Sequence, residues 1–162
     1  MAKFSFQPTV DTTGVITSRL GAGTGSSNFL TDADRGKFVK LAGSSRYNLA
    51  AAGDEIEGYI TSVETAPLDN YSIGGVAVES QFINVTFDGL QATPGTGALA
   101  VGDYVLVGTV VAKGTALTGA PKVVKATDQA AAKASPFAYR VADLGTAGTG
   151  AVGTTGVIQP VC

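Results

Sequence analysis

The chain has 162 residues, a net charge of −2 and a sequence pI near 4.9, and its 44% hydrophobic content includes no Trp. That length suits one compact domain, or one domain with arms, and the acidic balance argues against nucleic-acid or anionic-membrane partners, which clustered Lys and Arg would hold. Histidine is absent, which excludes Ser-His-Asp and Cys-His catalytic sets, His general bases and His-based zinc sites.

Along the chain, Met1 to Phe6 lack the long apolar region of a signal peptide. Phe4 and Phe6 alternate with Lys3 and Ser5, so Phe4–Val10 reads as a strand with one apolar edge. Such a strand fits either the protein's own sheet or the edge of a neighbour's, and Phe4 and Phe6 are candidate partner-binding residues. Gly14–Ser18 reads as a second strand, and Gly21–Asn28 as a loop of small residues that bury too little area to offset ordering. Residues 1–30 therefore read as an N-terminal strand or arm with a Gly-rich loop, and residues 31–162 as a β-rich body. The loop Gly21-Ala22-Gly23-Thr24-Gly25 lacks both the G-x-G-x-x-G spacing and a G-K-[ST] sequence, so it is not a phosphate cradle. Thr31-Asp32-Ala33-Asp34-Arg35-Gly36 lacks the distal ligands of a calcium loop and reads as a capped turn entering a strand at Phe38–Leu41.

Further strands are expected at Ile56–Val63, Val76–Val78, Phe82–Phe87, Tyr104–Val107, Val110–Lys113, Pro121–Lys125, Phe137–Asp143 and Gly156–Val161. Each is short, rich in Val, Ile, Thr or aromatics, and bounded by Gly, Asp or Pro. Asp88-Gly89 signals a turn after the Phe82–Phe87 strand. One helix is expected, capped by Thr127 and running through Asp128 to Ala134, with Ser135-Pro136 ending it. Gly145–Gly156 reads as a flexible Gly/Thr-rich loop. The single cysteine, Cys162, leaves no internal disulfide. These elements predict an all-β fold: a small β-barrel or β-sandwich-like body with one short helix and extended Gly/Thr-rich arms or loops.

Two stretches look related. Ala51-Ala52-Gly53-Asp54 and Ala100-Val101-Gly102-Asp103 each place a Gly-Asp turn ahead of a short strand that ends at Gly. Charge is also patterned. From Tyr47 to Ala112 there are eight acids and no Lys or Arg, while basic residues collect on both sides. Such a separation can fix register between subunits through complementary potentials, or it can be neutralised by pairing inside one fold. On the first reading Arg35, Lys37 and Lys40 join Phe4 and Phe6 as candidate partner contacts. Charged residues total only 15%, against roughly 25% in soluble domains. Much of the surface therefore faces other protein, or else Thr, Ser and Gly keep it soluble. The acids fall in turns and at strand starts, where solvated carboxylates are the default, so no glycosidase-like pair is read. The sequence offers no catalytic, cofactor-binding or metal-binding residue.

The run Gly36-Lys37-Phe38-Val39-Lys40-Leu41-Ala42, then Tyr47-Asn48-Leu49-Ala50-Ala51-Ala52-Gly53-Asp54-Glu55-Ile56-Glu57-Gly58-Tyr59-Ile60, resembles the capsid cement (head decoration) proteins of tailed bacteriophages. Ala100-Val101-Gly102-Asp103-Tyr104-Val105 is similar to their second Gly-Asp strand, and Ala138–Asp143 and Gly156–Val161 to their closing strands. The resemblance covers residues 36 to 161 in patches, and it lies in the order of the set. The longer N-terminal region and the Gly/Thr tract depart from the pattern. The resemblance implies a non-enzymatic virion protein, made in the host cytoplasm, that binds the major capsid protein on the outer face of the head. It also implies a homo-oligomer, a trimer rather than a dimer. Tail or fibre components are the alternative within virions. A carbohydrate-binding β domain ranks below both, because the five tyrosines are scattered and Trp is missing.

Overall fold

A computed structural model describes residues 14–21, 29–42, 46–65, 72–78 and 82–161. Phe4, Phe6, the Phe4–Val10 segment, most of the Gly21–Asn28 tract and Cys162 lie outside the described residues. The chain is nearly all β, as its short Val- and Thr-rich runs predict. The first half contributes β1 (Val15–Leu20), β2 (Phe38–Ala42), β3 (Arg46–Leu49), β4 (Gly58–Ile60) and β5 (Ser72–Ala77). The second half contributes β6 (Ile83–Leu90), β7 (Thr93–Pro94), β8 (Ala98–Leu99), β9 (Tyr104–Val107), β10 (Lys122–Lys125), β11 (Tyr139–Asp143), β12 (Gly150–Ala151) and β13 (Thr155–Pro160).

The two halves are barrels of the same topology. Strands β1-β3-β2-β4-β5 close on themselves. In the second sheet the order is β10-β9-β11-β13-β6, and a β10–β6 pairing joins its ends. In each barrel the first strand runs parallel to the third (β1 with β3, β6 with β10). In each barrel the remaining neighbours are antiparallel: third with second, second with fourth, fourth with fifth, and fifth with first. Closure leaves few unpaired edges to aggregate. The β7 strand adds to the rim of the second barrel, and Pro94 lies on it.

Leu20, Val39, Tyr47, Ile60 and Val76 fill the first barrel, and Val85, Phe87, Val123, Val141 and Ile158 fill the second. Phe38, Ala50 and Ile56 come from the first half yet pack in the second core. The barrels are thus welded through shared apolar packing. A hydrogen-bonded join adds to it, because Gly53 N donates to Val107 O and Val107 N to Asp54 O, at 2.8 and 3.0 Å.

Several expectations are corrected. The division at residue 30 does not hold, because β1 is a wall of the first barrel, paired with β5 over six residues. The 145–156 stretch is not a loose loop. Gly150–Ala151 pairs with Ala98–Leu99, Gly153 N donates to Phe87 O, and a Cβ on Gly150 would sit 1.8 Å from Leu99 O. Its glycines permit close backbone packing rather than looseness. Val110–Lys113 forms no strand, because side chains bind its surroundings: Thr109 N donates to the Asp88 carboxylate and Ala112 O accepts from Lys37. The strand through Phe87 continues past Asp88-Gly89 to Leu90, and the chain reverses at Gln91-Ala92 instead. The expected Ile56–Val63 strand shrinks to β4, while Val76–Val78 extends back to Ser72 through Gly74 and Gly75. A side chain at Gly74 would meet Ser62 O at 2.0 Å. The helix α1 spans Gln129–Ala134, and its cap is Asp128 rather than Thr127, accepting from the amides of Ala130 and Ala131.

Candidate functional site

The Gly-Asp repeat is a repeated device. At both copies the Asp amide donates to the carbonyl three residues back, and the carboxylate takes the amide of that same residue. Asp54 N to Ala51 O is 3.1 Å and Ala51 N to Asp54 Oδ2 is 2.7 Å. Asp103 N to Ala100 O is 3.1 Å and Ala100 N to Asp103 Oδ2 is 2.8 Å. Gly53 and Gly102, at φ 85 and 93, supply the left-handed third residue of each turn. A lysine from another strand then takes the carboxylate, Lys40 on Asp54 at 2.7 Å and Lys125 on Asp103 at 2.9 Å. Asp34 makes a third corner of this kind without a glycine: Asp34 N donates to Thr31 O, Thr31 N to Asp34 Oδ2, and Lys37 pairs with Oδ1 at 2.7 Å.

The sequence separation of charge therefore resolves in part inside the fold. Asp54, Asp88 and Asp103 from the acidic window meet Lys40, Lys122 and Lys125 from its flanks. Lys40 and Lys125 are 44% and 33% exposed at the side chain, so losing either costs under about 1 kcal/mol. Losing the aspartate also strands a turn amide and costs more, about 1–2 kcal/mol. Chemical denaturation of K40A and K125A against D54A and D103A checks this order.

The candidate contacts Arg35, Lys37 and Lys40 do not converge on one surface. Lys37 is buried and unavailable to a partner. Its ammonium donates to Asp34 Oδ1 and to Ala112 O, both at 2.7 Å. Gly114 N also donates to Asp34, and Lys113 Nζ to Phe29 O. This pair latches the 108–121 connection of the second barrel onto the corner before β2. The Asp34 carboxyl is held below the ordinary carboxylate range: burial pushes it up, and the bonds from Lys37, Thr31 and Gly114 outweigh that. Arg35 is exposed, 3.6 Å from Asp32 and bonded to Thr61 O. Lys40 lies on the outer face of β2.

That outer face holds residues the sequence reading did not join. On β1, β3 and β2, Leu20, Tyr47 and Val39 point into the barrel. Strand alternation puts Arg19, Arg46, Asn48 and Lys40 outside. Arg19 stands beside Arg46, and Asn48 beside Lys40, in register. Arg46 Nε and Asn48 Oδ1 are buried atoms without a hydrogen-bond partner. The signal for this face was the alternation around Tyr47, but Arg46–Leu49 is too short and polar to read as a strand.

The cleft between the barrels, lined by Phe38, Ala50, Val107, Val110, Leu117 and Pro121, encloses about 30 Å³. That is room for one or two waters and far below the volume of a metabolite pocket. No group of three or more His, Cys, Asp or Glu is placed to hold a metal among the described residues, and no helix there is long and apolar enough to cross a membrane. Comparison of the chain with protein-family models, curated proteins and solved structures finds no match.

Proposed function

We propose that the chain is a structural virion protein, a capsid cement protein that binds the outer face of a tailed-phage head and bridges capsomers. The observation that carries this reading is the pairing of the buried and half-buried aspartates inside the fold. Asp34, Asp54, Asp88 and Asp103 are each paired with a lysine. Large apolar side chains meanwhile stay exposed, Phe82 at 68% and Val101 at 62%. A surface poor in free charge suits burial against other protein, since interface cores are depleted in charge. Two closed barrels with a shared core make a stiff block, and the order of the motifs between residues 36 and 161 resembles that of the cement proteins. Its partners in this reading are the major capsid protein and copies of itself, a trimer rather than a dimer. It is made in the host cytoplasm and resides on the virion. Repetition over the lattice turns modest contacts into firm attachment, because each further contact of a bridging oligomer is intramolecular. Electron cryomicroscopy of the particle that carries it tests the assignment: density matching two stacked barrels is expected on the outer face of the head. The same density in the tail or a fibre, or none on the particle, would overturn it.

A further inference from the structure

We infer that the 108–121 connection is a strap that opens as a unit while both barrels stay folded, with the Asp34–Lys37 pair as its clasp. The inference does not depend on the virion role proposed above.

The strap is tied at its two ends and at its tip. At the ends, Gly108 N donates to Lys122 O and Thr86 N to Pro121 O, at 2.8 and 2.9 Å, so both hinges belong to the second barrel. The tip reaches the first half of the chain through three consecutive residues. Ala112 O accepts from Lys37 Nζ, Lys113 Nζ donates to Phe29 O, and Gly114 N donates to Asp34 Oδ1. Between the hinges, Val110 to Ala120 hold one backbone-to-backbone bond among the described residues, Thr115 N to Ala112 O, and most of them are exposed. A segment with so few bonds and so little buried surface opens well before the sheets that carry it.

The clasp favours opening over unfolding. Lys37 is 5% exposed and Asp34 not at all, and the attraction of a buried pair is largely spent on its own desolvation. Lifting the strap returns water to both charges, which offsets part of the broken bonds. It also uncovers an apolar seam. Val110, Val111 and Leu117 of the strap line one cleft with Phe38 and Ala50 of the first half and Val107 of the second.

Limited trypsin digestion of the full-length protein tests this, because cleavage after Lys113 requires the residues that the clasp holds. Wild-type protein should be cut slowly there, since cleavage follows the population of the open form. Asp34→Ala should speed the cut at least about tenfold, the effect of losing one charge-assisted pair. The double variant D34A/K37M separates opening from unfolding. It leaves no stranded ammonium yet has no clasp, so it should regain stability and still be cut at Lys113 at least about tenfold faster than the wild type. Lys122, Lys125 and Arg140, inside strands, should stay uncut, and the nicked protein should bind anilinonaphthalene sulfonate, a reporter of exposed apolar surface. Wild-type cutting rates in D34A/K37M, barrel cuts that keep pace with Lys113, or a nicked protein that binds no dye would each overturn the proposal.

Discussion

Replacing Asp34 with alanine will lower the stability of the fold by about 3–5 kcal/mol, because it leaves the Lys37 ammonium buried without its counter-charge. Asp34 has no exposed surface and Lys37 only 5%, so water cannot replace the lost carboxylate. The substitution also frees the amides of Thr31 and Gly114 and with them the latch on the second barrel. Removing both charges, as D34A/K37M, should restore part of the loss, since an apolar pair leaves no unpaired ammonium to desolvate. Urea unfolding reads this as a shift in midpoint at an unchanged slope.

The same latch has a pH signature. Asp34 and Asp88 both have their carboxyls lowered from 3.8 in the fold; burial raises them, and the hydrogen bonds and lysine charge outweigh it. A depressed folded value means the stabilisation is fully present above the unfolded value and is lost as pH falls through the folded one. Stability should therefore hold steady from neutral pH down to the unfolded carboxylate range and then fall, and D34N should flatten part of that acid limb. An acid limb of equal depth in D34N would refute the assignment.

The second large effect is at Gly89. Gly89 and Gly95 share the same positive φ, 86 and 85, and differ in what a side chain there would meet. A Cβ on Gly89 would sit 2.1 Å from Thr96 O, whereas one on Gly95 meets nothing within 4 Å. Gly95→Ala should cost about 1 kcal/mol, the strain of a left-handed alanine. Gly89→Ala adds overpacking against backbone that cannot yield and should cost roughly 3–5 kcal/mol, a large share of the stability of any domain. Equal melting temperatures for the two variants would contradict the close approach of the β6–β7 hairpin.

Much of this fold is legible in local chemistry. Tyr104–Val107 is a strand as its alternation demands, and the Gly-Asp corners announce themselves because glycine must take the positive φ and aspartate must cap the turn. The closing strands at Tyr139–Asp143 and Thr155–Pro160 follow from β-branched and aromatic runs between turn signals. What stays hidden is non-local. Gly74, Gly75 and Gly150 look like punctuation, yet they lie where another backbone or side chain comes too near for a Cβ. The β3 strand has two polar residues in four, so only its partners on either side make it a strand. The shared topology of the two barrels leaves almost no trace in sequence, because pairing order depends on which strands meet and not on which residues compose them. The Lys37 assignment failed for a related reason: a lysine next to a Gly reads as surface, and only the return of the 108–121 connection buries it. Arg46 and Asn48 share an outer face with Arg19 and Lys40 only once β1 and β2 are brought alongside β3.

The reading of this chain as a protein that binds other protein, and performs no chemistry, is tested most directly by mixing the purified molecule with expanded phage heads that lack decoration and sedimenting them. Saturable cosedimentation at a fixed number of copies per capsomer, with heads that withstand higher temperature than bare ones, is the predicted result. Heads that pellet without it and break at the same temperature would contradict the account.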